Sequence, residues 1–155
     1  MTARPMKPLI NIADLTESRE LSHAEKFSAK LFPIAPKIGA KKLGYNLTVV
    51  PPGKAAFPFH NHHGNEELFY VIEGSFRFWR GAEVLDAGPG GVALLPRDQI
   101  HTFKNIGAAP GRLLTVIVPA GFERFFEAIV DRGLAEDDDD RIMALAAEFG
   151  LEILG

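Results

Sequence analysis

The hydrophobic and polar positions change their period along the chain. From Leu43 to Pro119, short runs rich in β-branched and aromatic residues alternate with glycine and proline, which is typical of strands joined by turns. Seven such runs cover residues 43–50, 67–73, 75–80, 83–86, 91–95, 101–106 and 113–118. Seven short strands in succession predict an all-β sandwich or barrel over residues 41–120.

The segments on either side of this region have different patterns of residues. Residues 1–40 contain four prolines that would interrupt a long element, so we expect an N-terminal arm with at most a short helix around residues 16–30. Beyond Pro119, apolar residues recur at helical spacing and predict two short helices in a tail of residues 121–155. The apolar positions are Phe122, Phe125, Phe126, Ile129, Val130, Ile142, Leu145, Ala146 and Phe149. We expect these faces to pack on the barrel or on a partner subunit.

Composition excludes several classes of protein. With 155 residues, 46% of them hydrophobic, the chain has the size and character of one soluble domain. Cysteine is absent, so a metal site must use histidine and carboxylate, and a disulfide or thiol nucleophile is impossible. No run of 18 apolar residues and no export signal is present, so we expect no membrane span and a cytoplasmic location.

Charge is distributed unevenly, although the net charge is only −3. Residues 1–120 carry 14 Lys and Arg against 10 Asp and Glu, whereas residues 121–155 carry 3 against 10. The acidic run at 136–140 suits the entry of a helix, because negative charge stabilises the positive end of the helix dipole. No basic stripe is present, so we expect no nucleic-acid partner.

Residues 59–67, which read FHNHHGNEE, concentrate three histidines and two carboxylates. His60 and His62 are two apart, so on a strand their side chains share one face. Glu67 begins the following strand, on the same face as Phe69 and Val71. A carboxylate that faces an apolar core is costly unless its charge is neutralised, and a divalent cation would neutralise it.

A fourth ligand has to come from elsewhere, and only two other histidines exist, His23 and His101. His23 lies in the polar arm, where we expect it to be exposed, and His101 begins a strand whose inward face also carries Phe103 and Asn105. Several imidazoles with one carboxylate suit a first-row transition metal rather than Mg²⁺ or Ca²⁺. Iron, nickel, manganese, copper, cobalt and zinc all remain candidates for this one divalent ion.

These spacings resemble the two motifs of the cupins, which are small jelly-roll barrels. The first motif, G-x5-H-x-H-x3-4-E-x6-G, is matched by Gly53, His60, His62, Glu67 and Gly74. The second, G-x5-P-x-G-x2-H-x3-N, is matched by Gly90, Pro96, Asp98, His101 and Asn105. The resemblance implies a double-stranded β-helix in which His60, His62, Glu67 and His101 bind the metal. The chain departs from the motifs in one extra residue before His60 and in Asp98, which replaces a glycine.

Longer phrases, such as EELFYVIEG at 66–74 and HTFKN at 101–105, resemble cupins of the quercetin dioxygenase-like group. That resemblance implies a metal-dependent dioxygenase for a small hydrophobic or aromatic substrate, with Glu67 as the catalytic base. We expect its pocket to be lined by Phe59, Phe69, Phe103 and Asn105.

Other functions and assemblies are also compatible with the sequence. One alternative is a metal-assisted isomerase or lyase of a sugar or oxo-acid, with Arg77, Arg80 or Arg97 holding an anion. Another is a binding module without catalysis. Because one small barrel leaves the arm and tail helices poorly explained, we also expect a homodimer.

Overall fold

The structure is a computed structural model, and it describes residues 7–135 and 137–154. Its eleven strands, in chain order, are β1 (Arg19–His23), β2 (Phe27–Pro33), β3 (Gly44–Val50), β4 (His60–His62), β5 (Glu66–Glu73), β6 (Phe76–Arg80), β7 (Glu83–Ala87), β8 (Val92–Leu95), β9 (His101–Asn105), β10 (Gly111–Val118) and β11 (Leu151–Ile153). The helices are a 3₁₀ turn at Ile12–Asp14, α1 (Ala35–Ile38), α2 (Arg124–Asp131) and α3 (Asp139–Glu148).

The strands form two antiparallel sheets. The larger has the order β1-β2-β3-β10-β5-β8, and the smaller has the order β11-β4-β9-β6-β7. Consecutive strands often lie in different sheets, which is the jelly-roll arrangement that the motifs imply. The all-β prediction is confirmed, together with its two short C-terminal helices.

The core lies between the sheets and follows from the period of two. In β5 the side chains of Glu67, Phe69 and Val71 are buried, while Leu68 and Tyr70 are exposed. The smaller sheet opposes them with the rings of Phe76, Phe78 and Phe103. The centroids of the Phe69 and Phe103 rings are 4.8 Å apart, so the two sheets meet through aromatic contacts.

The expected helix around residues 16–30 is wrong, because this region forms the β1–β2 hairpin. Strand β2 pairs with β3, and the pairing aligns Leu31 with Thr48. The pairing buries Ala29 and Leu31, which outweighs a weak local helix preference. The predicted arm therefore adds two strands to the larger sheet.

The C-terminal tail packs on the barrel of its own chain. Phe125 of α2 and Leu145 and Ala146 of α3 share a second apolar cluster with Leu151 of β11. Strand β11 then pairs with β4, with Leu151 opposite His62. Of the acidic run, Glu136 lies outside the described residues, and the following aspartates enter α3 as expected. None of the described helices has the length and apolar character that crossing a membrane requires.

Candidate metal centre

Four buried side chains meet between the two sheets. His60 and His62 come from β4, Glu67 from β5 and His101 from β9, and one ligand atom from each lies within 4.8 Å of all the others. None of the four residues is more than 7% exposed. His60 lies directly opposite His101 in the β4–β9 pair, so a single register brings two segments 41 positions apart to one point.

Backbone carbonyls orient two of the imidazoles. His60 Nδ1 lies 2.8 Å from the carbonyl oxygen of Pro58, and His101 Nδ1 lies 2.8 Å from that of Gln99. When each Nδ1–H donates to its carbonyl, the lone pair of Nε2 is left free for a ligand. Metal-binding histidines are commonly held by this type of hydrogen bond.

The donor set fits a transition-metal ion. His62 Nε2 lies 2.6 Å from Glu67 Oε1, and His101 Nε2 lies 3.9 Å from Glu67 Oε2. Within the described part of the chain, His62 Nδ1 and His101 Nε2 are buried without a hydrogen-bond partner. A buried nitrogen without a partner costs about 1–3 kcal/mol. An ion bound here would engage the His101 nitrogen and balance the charge of Glu67, so the group suggests a metal site.

Burial and mutual charge set the protonation states of the cluster. Burial, with the nearby His101 imidazole, lowers the pKa of His60 to about 3. Burial also lowers the pKa of His101, although the Glu67 charge partly opposes this effect. For Glu67, burial raises the pKa, but the hydrogen bond from His62 and the surrounding imidazoles outweigh it, so the net pKa is lowered. Neutral His60 and His101 with ionised Glu67 are the states that metal binding requires.

Acidification is expected to destabilise the metal-free protein. The unfolded chain takes up a proton on His60 near its ordinary pKa of 6.5, whereas the folded protein holds that pKa at about 3. Between these values the unfolded state binds more protons, so the free energy of unfolding falls as the pH falls, by up to about 1.4 kcal/mol per pH unit for this group. The lowered pKa of Glu67 acts in the same direction below its ordinary value.

Thermal unfolding at a series of pH values between neutrality and the acid range measures this dependence. The variant His60→Asn removes the titrating imidazole and should show a shallower fall in unfolding temperature with acidification. Equal slopes in the two proteins would contradict the assignment of this pKa.

A cavity of about 410 Å³ is lined by three of the four candidate ligands, His60, His62 and Glu67. Rings form much of its wall, and a polar strip from β3 and β10 and several charged side chains complete it. The rings belong to Phe57, Phe69, Phe122, Phe125 and Phe126; the strip consists of Asn46, Thr48 and Thr115; the charged groups include Arg19, Lys41, Glu123, Arg124 and Glu127.

Of the four residues predicted to line the pocket, Phe69 lies in the cavity wall and the other three lie elsewhere. Phe59 is 42% exposed and packs against Trp79, because it precedes His60 and points to the opposite face of the strand. Phe103 shares the face of His101 but lies deeper, in the core. The Asn105 amide donates to the carbonyls of Val50 and Ala109, so it holds the turns at that end of the barrel.

The cavity wall also includes residues other than the four predicted to line it. Phe122 lies with its ring centroid 4.6 Å from that of His62, and Phe57 lies 6.1 Å from His60. Arg19 reaches the cavity from β1. The sequence predicted Phe122 to lie on the apolar face of a helix. No local pattern indicates that the segment before α2 packs against His62.

The departure at Asp98 is accommodated in the structure. Its φ of 62° is left-handed, as the glycine of the motif would allow, and Asp tolerates this region better than most residues. The Asp98 carboxylate lies 2.9 Å from His63 Nδ1, and its backbone N–H donates to the His62 carbonyl. The ion pair with Asp98, ahead of the one with Glu152, raises the pKa of His63. His63 therefore ties the turn before His101 to the strand that carries His62.

Comparison with known proteins agrees with this architecture. The family model described as a cupin domain matches residues 46–117, which include all four candidate ligands. An uncharacterized protein of Methanocaldococcus jannaschii is 28% identical over 71 residues, covering 46% of this chain and 56% of that protein. The chain thus spans about half the length of this curated relative.

Solved structures share the fold. One is described as a sugar phosphate isomerase from a cupin superfamily, from Silicibacter pomeroyi, with TM-score 0.63, 22% identity and coverage of 73% of this chain and 76% of that one. Another is described as a predicted oxalate decarboxylase from Thermotoga maritima, with TM-score 0.62, 19% identity and coverage of 72% and 98%. At these identities the likeness concerns the fold alone. The two motifs, the jelly-roll sheets and the family match together identify residues 46–117 as a cupin domain.

Proposed function

We propose that this protein is a metal-dependent dioxygenase that acts on a small, largely apolar organic substrate. The observation that carries the proposal is the group of three imidazoles and one carboxylate, buried together beside a cavity with aromatic walls. A first-row ion that accepts more than four ligands would, if held by these four residues, have coordination positions left for other molecules. The identity of the metal is left open, since several first-row ions accept this donor set.

Bound at these four residues, a redox-active transition metal would supply Lewis acidity and one-electron chemistry with dioxygen. The chain itself supplies orientation and a base. His60 and His101 are held by backbone carbonyls, so their Nε2 atoms are directed before any ligand arrives. Glu67 is ionised, lines the cavity and is positioned to take a proton from a substrate hydroxyl.

The aromatic walls support a flat substrate. Phe69 and Phe122 lie next to the ligands, and Phe57 and Phe126 extend the apolar surface away from them. Such a surface excludes water from the reacting groups, and an apolar ligand would bury its own surface against the rings.

The proposal predicts oxygen consumption that depends on Glu67. Protein reconstituted with each candidate metal is assayed with an oxygen electrode against flavonols and 1,3-dicarbonyl compounds. Loss of a positioned base reduces rates by about 10²–10⁴-fold, so we expect a fall of this size for Glu67→Gln. Glu66→Gln is the matched control, because Glu66 is the adjacent carboxylate and is exposed. Absence of oxygen uptake with every metal across the panel would refute the dioxygenase.

A second candidate is a metal-assisted isomerase acting on a polyhydroxylated substrate. The observation in its favour is the polar strip on one cavity wall, where Thr48 Oγ1 donates to Asn46 Oδ1 at 2.7 Å and lies 3.1 Å from Thr115 Oγ1. Hydroxyl and amide groups in such a strip can bind the hydroxyls of a sugar. If phosphosugars raise the melting temperature and flavonols do not, this candidate replaces the dioxygenase.

Two further parts of the proposal concern the oligomeric state and the cellular location of the protein. We propose that it forms a homodimer and that it is located in the cytoplasm. The exposed apolar side chains of β5 and β8, Leu68, Tyr70, Val92 and Leu94, support a contact between subunits.

A further inference from the structure

We propose that Arg19 binds an oxyanion of the substrate, either a carboxylate or a phosphate, in the same cavity as the candidate metal ligands. The inference deepens the proposed function by naming a chemical class of substrate. It rests on the proposed function in one respect, which is that the substrate binds in this cavity. The type of reaction does not matter, so the inference applies to an oxygenase and to an isomerase.

Arg19 belongs to a part of the chain that lies outside the cupin match. It begins β1, the edge strand of the larger sheet, opposite Leu31 of β2. Its side chain lines the cavity together with His60, His62 and Glu67. The hairpin thus adds a cation to a cavity whose wall also comes from the barrel and from the C-terminal tail.

The guanidinium of Arg19 is held in place but not neutralised. Its Cζ lies 5.8 Å from the centroid of the Phe126 ring, which is a cation–π distance. A guanidinium placed over a ring at this distance still has N–H groups for a planar, two-point contact with an oxyanion. Among the described residues, no carboxylate forms an ion pair with Arg19, whereas Arg77, Arg80, Arg112, Arg132 and Arg141 each have one.

Aromatic rings connect Arg19 to the candidate ligands. The Phe126 ring lies 6.1 Å from Phe57, which lies 6.1 Å from His60. On a second route, Phe126 lies 5.8 Å from Phe122, which lies 4.6 Å from His62. A substrate that places oxygen atoms at the ligands and its apolar body along these rings would direct its far end towards Arg19.

Besides Arg19, the cavity wall carries Lys41 and Arg124, against the carboxylates of Glu67, Glu123 and Glu127. An ion bound at the four candidate ligands would balance Glu67, and the rest of the wall would then carry three cations against two carboxylates. Glu123 already accepts a hydrogen bond from the backbone N–H of Gly121. Of the three arginines predicted to hold an anion, Arg77 and Arg80 are paired with Asp86 and Glu83 across β6 and β7, and Arg97 is exposed outside the cavity wall.

Direct binding of small probes tests the proposal independently of turnover. Benzoate, phenyl phosphate and neutral benzyl alcohol are titrated by calorimetry into the metal-loaded protein and into its Arg19→Gln variant. Hydrogen bonds to charged groups are stronger than those between neutral groups, so we expect at least one of the two anions to bind the parent about tenfold or more tightly than the alcohol. The variant should lose that preference. The anion that shows it identifies a carboxylate or a phosphate as the natural group.

Arg97→Gln is the matched control, because Arg97 is exposed, lies outside the cavity wall and has no ion pair among the residues that the structure describes. Arg19→Lys keeps the charge without the planar fork, and it should lose part of the affinity even if Arg19→Gln proves unstable. Unchanged anion affinity in both Arg19 variants, or no preference for an anion in the parent, would overturn the proposal. Metal content is measured in parallel, so loss of the metal site is not mistaken for loss of the anion contact.

Discussion

His101→Ala is expected to abolish stoichiometric metal binding. The substitution removes one of four buried candidate ligands and leaves a space beside His60 and the ionised Glu67. Changes to groups that merely support metal ligands cost about 10–100-fold in affinity, so loss of a ligand itself should cost about 100-fold or more. Elemental analysis of tag-free protein, followed by competition with a chromophoric chelator, measures the effect.

His23→Ala is the matched histidine control. His23 is exposed on the β1–β2 hairpin, as the sequence predicted, and its Nε2 lies 3.7 Å from Asp139. The variant should bind metal like the parent. If the parent contained no metal after reconstitution with each candidate ion, the cluster would be a polar core, and the enzymatic proposal would lose its basis.

Phe103→Ala is expected to lower the free energy of unfolding by about 3–5 kcal/mol, the usual cost of removing a buried aromatic side chain. Phe103 is 2% exposed, and its ring centroid lies 4.8 Å from that of Phe69 and 5.6 Å from that of Phe78. The alanine would leave a cavity between the sheets that surrounding rings fill only in part. Urea denaturation of the metal-free variant and parent measures the difference.

Phe59→Ala provides the comparison, since it removes the same side chain from an exposed position. The Phe59 ring contacts Trp79 at a centroid distance of 6.3 Å, and the loss should stay near the range of about 0.5 kcal/mol that is usual for surface substitutions. Equal destabilisation by the two variants would contradict the assignment of Phe103 to the core and of Phe59 to the surface.

The sequence predicted the parts of the fold that depend on local periodicity. In strand β5, exposed and buried side chains alternate from Glu66 to Val71. Such an alternation follows from the period of two of a strand, which can be applied to a single sequence. The predicted strand at 67–73 accordingly appears as Glu66–Glu73, and the other six runs also appear as strands with ends shifted by at most two residues. The two helices of the tail could be predicted for the same reason, because their apolar residues recur with a period near 3.6.

The errors lie where distant pairing outweighs local preference. The hairpin of β1 and β2 falls in the region predicted as an arm from the four prolines of residues 1–40, but only Pro33 lies in the hairpin. The pairing of β2 with β3 explains why these residues form strands. Strand β11 has three residues, too few to carry a period, and it forms because β4 offers it a free edge. Phe59 was predicted to line the pocket, but it directly precedes His60. Adjacent residues of an extended chain face opposite sides, so its exposure follows from its position alone.

By itself, the sequence determined the alternating pattern of the barrel strands and the spacing of the four candidate ligands. These properties are carried by residues a few positions apart, whose side-chain directions follow from strand geometry. Only the tertiary structure decided that His101 lies opposite His60, that the Phe122 segment closes over His62 and that Arg19 reaches the cavity from the hairpin. Each of these contacts joins segments far apart in the chain, and their meeting depends on how the sheets and helices pack to bury apolar surface, which no local pattern encodes.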